Sequence, residues 1–192
     1  PAMTFMMTGS QIPGRPSLGA WASYGLGSPN RDLPDYVVLV SKMQRPSDQP
    51  LYNYYWGNGF LPSRYQGVKF RNASEPVLCL EDPDGLPREM RRKLIDGIGK
   101  LNSIKSRQSG DPEIEARTKQ FEMAYRMQSS APELMDISGE SKATLDLYGI
   151  KQGKPSFANN CLLARRLVQR GTRFVQLYHT NWDSHGGPGE TL

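Results

Sequence analysis

The chain has 192 residues, 37% of them hydrophobic, and a net charge of +5. At this length a folded chain hides roughly 70% of its extended surface, so one domain or most of one is expected. Its two cysteines, Cys79 and Cys161, exclude a disulfide-dense scaffold and a cysteine-rich zinc module, and its longest apolar run, Tyr36 to Val40, falls far short of a bilayer span of ~20 residues.

Met3, Phe5, Met6 and Met7 form an apolar start that breaks at Thr8-Gly9-Ser10 and Ile12-Pro13-Gly14. A short helix is expected next, opened by Pro16 or Ser17, with Leu18, Trp21, Ala22 and Gly25 on one face and Gly25 and Gly27 at its end. Tyr36-Val37-Val38-Leu39-Val40 is continuous and β-branched, which predicts a strand buried on both faces in a parallel sheet. From 41 to 85 no period emerges, and Pro46, Pro50, Pro62, Pro76 and Pro83 punctuate the stretch. That is far longer than an ordinary connection and predicts an elaborated loop. Seven of the chain's 18 aromatic residues lie between Tyr52 and Phe70, where they either pin the loop to the core or line a pocket for a sugar or another flat substrate.

Two helices are predicted after the loop. The first has Pro87 in its opening turn and Met90, Leu94, Ile98 and Leu101 along one face, with Gly97 and Gly99 each weakening it by roughly 1 kcal/mol. Residues 86–109 hold seven basic side chains and two acidic ones, so this segment alone accounts for the +5. Without interleaved aromatic rings to stack on bases, the cluster reads as a solvated helix face and not as a nucleic-acid site. The second helix has Asp111 as its N-cap, Pro112 at the first helical position, and Glu113 and Glu115 where the dipole favours acid. Its face is Ile114, Thr118, Phe121 and Tyr125, with Ala124 and Met127 beside it, and the chain is expected to break at Pro132. A short helix with Leu145 and Tyr148 ends at Gly149.

The last unit carries the chemistry. Pro155 or Ser156 opens a helix through Phe157, Cys161, Leu162, Ala164, Leu167 and Val168, closed by Gly171, and Arg173 to Tyr178 reads as a strand. Helix, glycine turn and strand form the return half of an α/β crossover. Directly after it come His179, Trp182, Asp183 and His185, followed by Gly186 and Gly187. Ligands of open α/β sheets bind outside the carboxyl ends of the strands, so the placement suits a site. Both histidines of the chain lie here and flank Asp183. Carboxylate and neutral imidazole suit zinc and similar divalent ions, although one Asp-x-His pair supplies only part of a ligand set.

The segment Trp182-Asp183-Ser184-His185-Gly186 resembles the W-D-x-H-G signature of the family catalogued as domain of unknown function fifteen-oh-one, sulfatase-like proteins of the alkaline phosphatase superfamily. The resemblance extends to Thr8–Ser17, to Gly59-Phe60-Leu61-Pro62 with Tyr65-Gln66-Gly67, to Phe121–Gln128 with Ala131-Pro132-Glu133, and to Cys161–Val168 leading to Phe174–His179. It implies an α/β, alkaline-phosphatase-like sheet with flanking helices, of which residues 1–192 form a single partial domain, the middle of a longer protein. It further implies divalent metal, zinc first with calcium or magnesium as alternatives, held by Asp183 and His185. His179 and Trp182 are expected to stand behind the ligands or to face substrate. The nucleophile is expected upstream of Pro1 and further ligands after Leu192, so this portion alone is expected to be inactive. The implied activity is hydrolysis of phosphate or sulfate esters of a small molecule or carbohydrate, in an exported protein. The competing expectation is a non-catalytic protein that binds carbohydrate or polyanion through the aromatic loop.

Overall fold

The computed structural model describes residues 2–41, 51–71, 77, 85–151 and 156–179. Within them three strands form one parallel sheet in the order β2-β1-β3: β1 (Tyr36–Ser41), β2 (Val68–Phe70) and β3 (Phe174–His179). The expected parallel pairing of the first and last strands is present, with Tyr36 opposite Phe174 and Ser41 opposite His179. β2 pairs on the other side, Val37 opposite Val68 and Leu39 opposite Phe70. It lies inside the stretch read as periodless, because three residues are too few to display an alternation and only the neighbouring strand defines them.

β1 is covered on both sides, as its unbroken apolar run requires. Val37, Leu39 and Phe70 face α4 (Pro112–Met135) and α6 (Phe157–Gln169), packing with Met127, Ala131, Leu134, Leu163 and Leu167. Tyr36, Val38 and Tyr178 face the other way, onto Tyr55 and Trp56 of a 3-10 turn (Asn53–Trp56) and onto Met3 and Met7 of α1 (Ala2–Thr8). Each fully buried apolar side chain of this kind contributes roughly 1.5–3 kcal/mol. α1 was not expected as a helix. Met3 and Met7, one turn apart, find the sheet, and the Thr8 hydroxyl donates to the Thr4 carbonyl at 2.8 Å. A Cβ at Gly67 would come within 2.8 Å of the Tyr36 ring, and one at Gly19 within 2.6 Å. Those two glycines let α2 (Leu18–Leu26) and the approach to β2 close on that ring.

Caps form where the residue types ask for them. The side chains of Ser17, Asp111, Ser141 and Ser156 accept backbone N–H bonds at the starts of α2, α4, α5 (Lys142–Tyr148) and α6. Two expectations for the helical hairpin are corrected. In α3 (Arg88–Ser109) the predicted face is exposed, at 56% for Met90, 54% for Leu94 and 69% for Leu101, while Ile95 is buried. α3 packs on α4 through its neighbouring side, where Arg92 binds Glu122 at 2.5 Å and Asn102 donates to the Thr118 hydroxyl at 3.0 Å. The predicted α4 face of Thr118 and Tyr125 meets α3, Tyr125 lying under the guanidinium groups of Arg88 and Arg92. α4 also runs through Pro132 to Met135. Ala131 and Leu134 are wholly buried against the sheet, and that burial outweighs the backbone hydrogen bond a proline cannot donate. Among the described residues no helix is long and apolar enough to cross a membrane.

Candidate functional site

β3 ends at His179 beside the last residue of β1, Ser41. α6 runs back against the strands, so its amino end lies at this same carboxyl edge, with the Phe157 ring 4.8 Å from the His179 ring. Asn160, in the first turn of α6 and 2% exposed, donates from Nδ2 to the Ser41 hydroxyl at 2.7 Å. Its Oδ1 is buried and has no hydrogen-bond partner among the described residues. One residue back, Tyr178 is buried against Trp56, with ring centroids 5.7 Å apart. The chain therefore leaves β3 from an anchored position. Of the residues singled out in the sequence, His179 is placed here, and Trp182, Asp183 and His185 lie outside the described residues. Cys79 also lies outside them, while Cys161 is a free, half-buried thiol whose pKa burial pushes up. Among the described residues no cluster of three or more His, Cys, Asp or Glu side chains is arranged to hold a metal ion.

A cavity lies beside the amino end of β1 and along β2. This cavity, of about 980 Å³, is lined by residues that lead into those strands, Pro34, Asp35, Gln66 and Gly67, and by one side of α4. Its wall at Ser63–Tyr65 is bolted to α4: the Ser63 hydroxyl bonds Glu113, and Gln120 donates to the Ser63 oxygen at 3.1 Å. Among the described residues Arg64, Lys69, Arg71 and Lys119 line it with one carboxylate, Asp35, and Lys119 is paired with Glu115 at 2.6 Å. The Asp35 side chain accepts from the Ser23 hydroxyl at 3.0 Å, and its backbone carbonyl accepts the N–H groups of Arg173 and Phe174.

The family model described as Protein of unknown function (DUF1501) matches residues 1–192. The chain belongs to that family. No curated protein and no solved structure matches it. In this DUF1501 chain the aromatic stretch divides between the two expected roles. Tyr55, Trp56 and Phe70 are buried and pin the segment to the sheet, while Trp56 and Tyr65 also line the cavity. Sequence reading passed over Asn160, Ser41 and Asp35. One signal was available: two adjacent asparagines, Asn159 and Asn160, in the first turn of an otherwise apolar helix, where asparagine has low propensity.

Burial raises the pKa of Asp35 above its ordinary value of 3.8, outweighing the opposing hydrogen bond from Ser23 and the charges of Arg173 and Arg64. The folded state thus disfavours the ionised carboxyl. The corresponding stability is present below the unfolded pKa and is lost as pH rises through the folded one. Asp35→Asn, which keeps the Ser23 partner, should therefore raise the thermal midpoint at pH 7, with the gain gone at pH 3. A variant less stable than the parent at pH 7 would show that the charge stabilises the fold.

Proposed function

We propose that this chain is part of a metal-dependent hydrolase of phosphate or sulfate esters with an alkaline-phosphatase-like fold, and that Asp183 and His185 are metal ligands. The observation that supports this is the end of β3. His179 is the last strand residue, fixed beside Ser41 in a parallel sheet, and the Asp-x-His pair begins four residues later. That edge is where open α/β sheets bind their ligands. A carboxylate and an imidazole suit a zinc-like ion, and both are drawn to the segment that leaves an anchored strand. A bound divalent ion would polarise the ester oxygen and stabilise the negative charge that develops there.

The chain's own residues have supporting roles in this reading. The amino end of α6 brings its partial positive charge to the edge where an anionic ester group would lie. Asn160 holds the end of β1 through Ser41 and retains an amide oxygen for a further donor. In this reading His179 and Trp182 stand behind the ligands or face substrate. The test is hydrolysis of p-nitrophenyl phosphate and p-nitrophenyl sulfate by the full-length protein before and after chelation. Activity on either ester, lost on chelation and restored by zinc, is expected. Activity unchanged by metal removal would overturn the reading, and metal-independent carbohydrate binding with no hydrolysis would favour the non-catalytic alternative.

A further inference from the structure

Four aromatic rings form a continuous line along α2 and the segment before β2. Phe60 meets Trp21 at 5.7 Å between centroids, Trp21 meets Tyr24 at 6.0 Å, and Tyr24 meets Tyr65 at 5.3 Å. Phe60, Trp21 and Tyr24 are 69%, 44% and 54% exposed. Large rings normally hide most of their surface, so a row of them left in solvent marks an interaction surface. The row ends at the cavity beside the amino end of β1 and along β2. There the Arg64 guanidinium lies 4.6 Å over the Tyr65 ring, and Arg64 and Arg71 are among the lining side chains.

The charge selects among occupants. Lys119 is already paired with Glu115 at 2.6 Å. Among the described lining residues Arg64 and Arg71 against the Asp35 carboxylate favour an anion, whereas a second copy of this chain would bring the same arginines against them. The ring geometry selects further. Neighbouring rings stand 72–84° apart, so they offer separate faces and edges and no parallel stack for successive bases of a nucleic-acid strand. Separate ring faces suit the C–H faces of individual sugars. Inside the cavity the side chains of Asp35, Asn53 and Gln66 are among those that suit hydroxyl groups.

We propose that this surface binds an acidic oligosaccharide, with sugars on Phe60, Trp21 and Tyr24 and its sulfate or carboxylate groups in the cavity lined by Arg64 and Arg71. It uses neither Asp183 nor His185 and needs no metal, so it stands apart from the ester hydrolysis proposed above. The probes are a sulfated tetrasaccharide, a tetrasaccharide of uronic acids, a neutral tetrasaccharide and a single-stranded oligodeoxynucleotide, each titrated calorimetrically into the full chain. At least one acidic sugar should bind at least tenfold more tightly than the neutral one and weaken with added salt. The sulfated and uronic arms show which anion is preferred. Trp21→Ala and Arg64→Gln should each weaken binding at least tenfold with thermal unfolding little changed, since both side chains are exposed, and Asp183→Ala should leave it unaltered. The proposal is overturned by oligonucleotide binding as tight as that of either acidic sugar, by no preference for acidic over neutral sugar, or by unchanged affinity in both surface variants.

Discussion

Asp183→Ala in the full-length protein should lower zinc affinity by a hundredfold or more, and His185→Ala should lower it by less. Residues that merely orient a metal ligand are already worth about 10- to 100-fold in affinity, and a ligand itself should exceed that. The two substitutions differ in kind. Asp183 supplies a formal negative charge, so its loss leaves the cation less compensated, whereas His185 supplies a neutral donor. Metal content per chain, measured after dialysis against a weak chelator, reads this directly. The expected order is parent, then His185→Ala, then Asp183→Ala. Equal stoichiometry and affinity in all three proteins would make Asp183 and His185 structural loop residues and remove the basis of the hydrolase proposal.

Gly59→Ala should cost about 2–5 kcal/mol of stability, a large share of the roughly 5–15 kcal/mol that a domain has. Two costs add here. Gly59 has φ +56°, a conformation that costs a residue with a side chain roughly 1–2 kcal/mol. Its Cβ would also fall on the backbone of Arg15 and Pro16 and within 2.7 Å of Pro16 Cδ. That backbone cannot withdraw easily, because the Ser17 N–H donates to the Gly57 carbonyl at 3.0 Å and Pro16 is fully buried. Overpacking of this kind adds about 1–3 kcal/mol. Gly110 provides the control, with φ +66° and open space around it, so Gly110→Ala should cost only the backbone part, about 1 kcal/mol. For a chain of this size the thermal midpoint should fall by on the order of 10 °C in Gly59→Ala and by a few degrees in Gly110→Ala. Equal shifts in the two variants would show that the contact with Arg15 and Pro16 yields without cost.

What the sequence determined by itself is what neighbours along the chain decide. The cap at Ser17 depends on the N–H three residues on, and that at Asp111 on the N–H two residues on. The strand at Tyr36–Val40 was legible because an unbroken β-branched run has few other homes, and its parallel partner because a glycine-closed helix leads into it. Membership of the DUF1501 family was legible in blocks spread along the whole chain. The candidate site was legible only as composition, with the two histidines of the chain gathered at and beyond the end of the last strand. Only tertiary structure decided that β2 is a strand, since three residues carry no pattern until β1 pairs with them. It also turned α3 so that Ile95, Arg92 and Asn102 meet α4 while Met90, Leu94 and Leu101 face out. An i, i+4 apolar stripe and a face of paired polar groups compete for the same neighbour, and here the paired face of Arg92 and Asn102 took it. The aromatic row and the cationic cavity are of the same kind. Trp21 and Phe60 are 39 positions apart and meet because α2 folds back over the approach to β2.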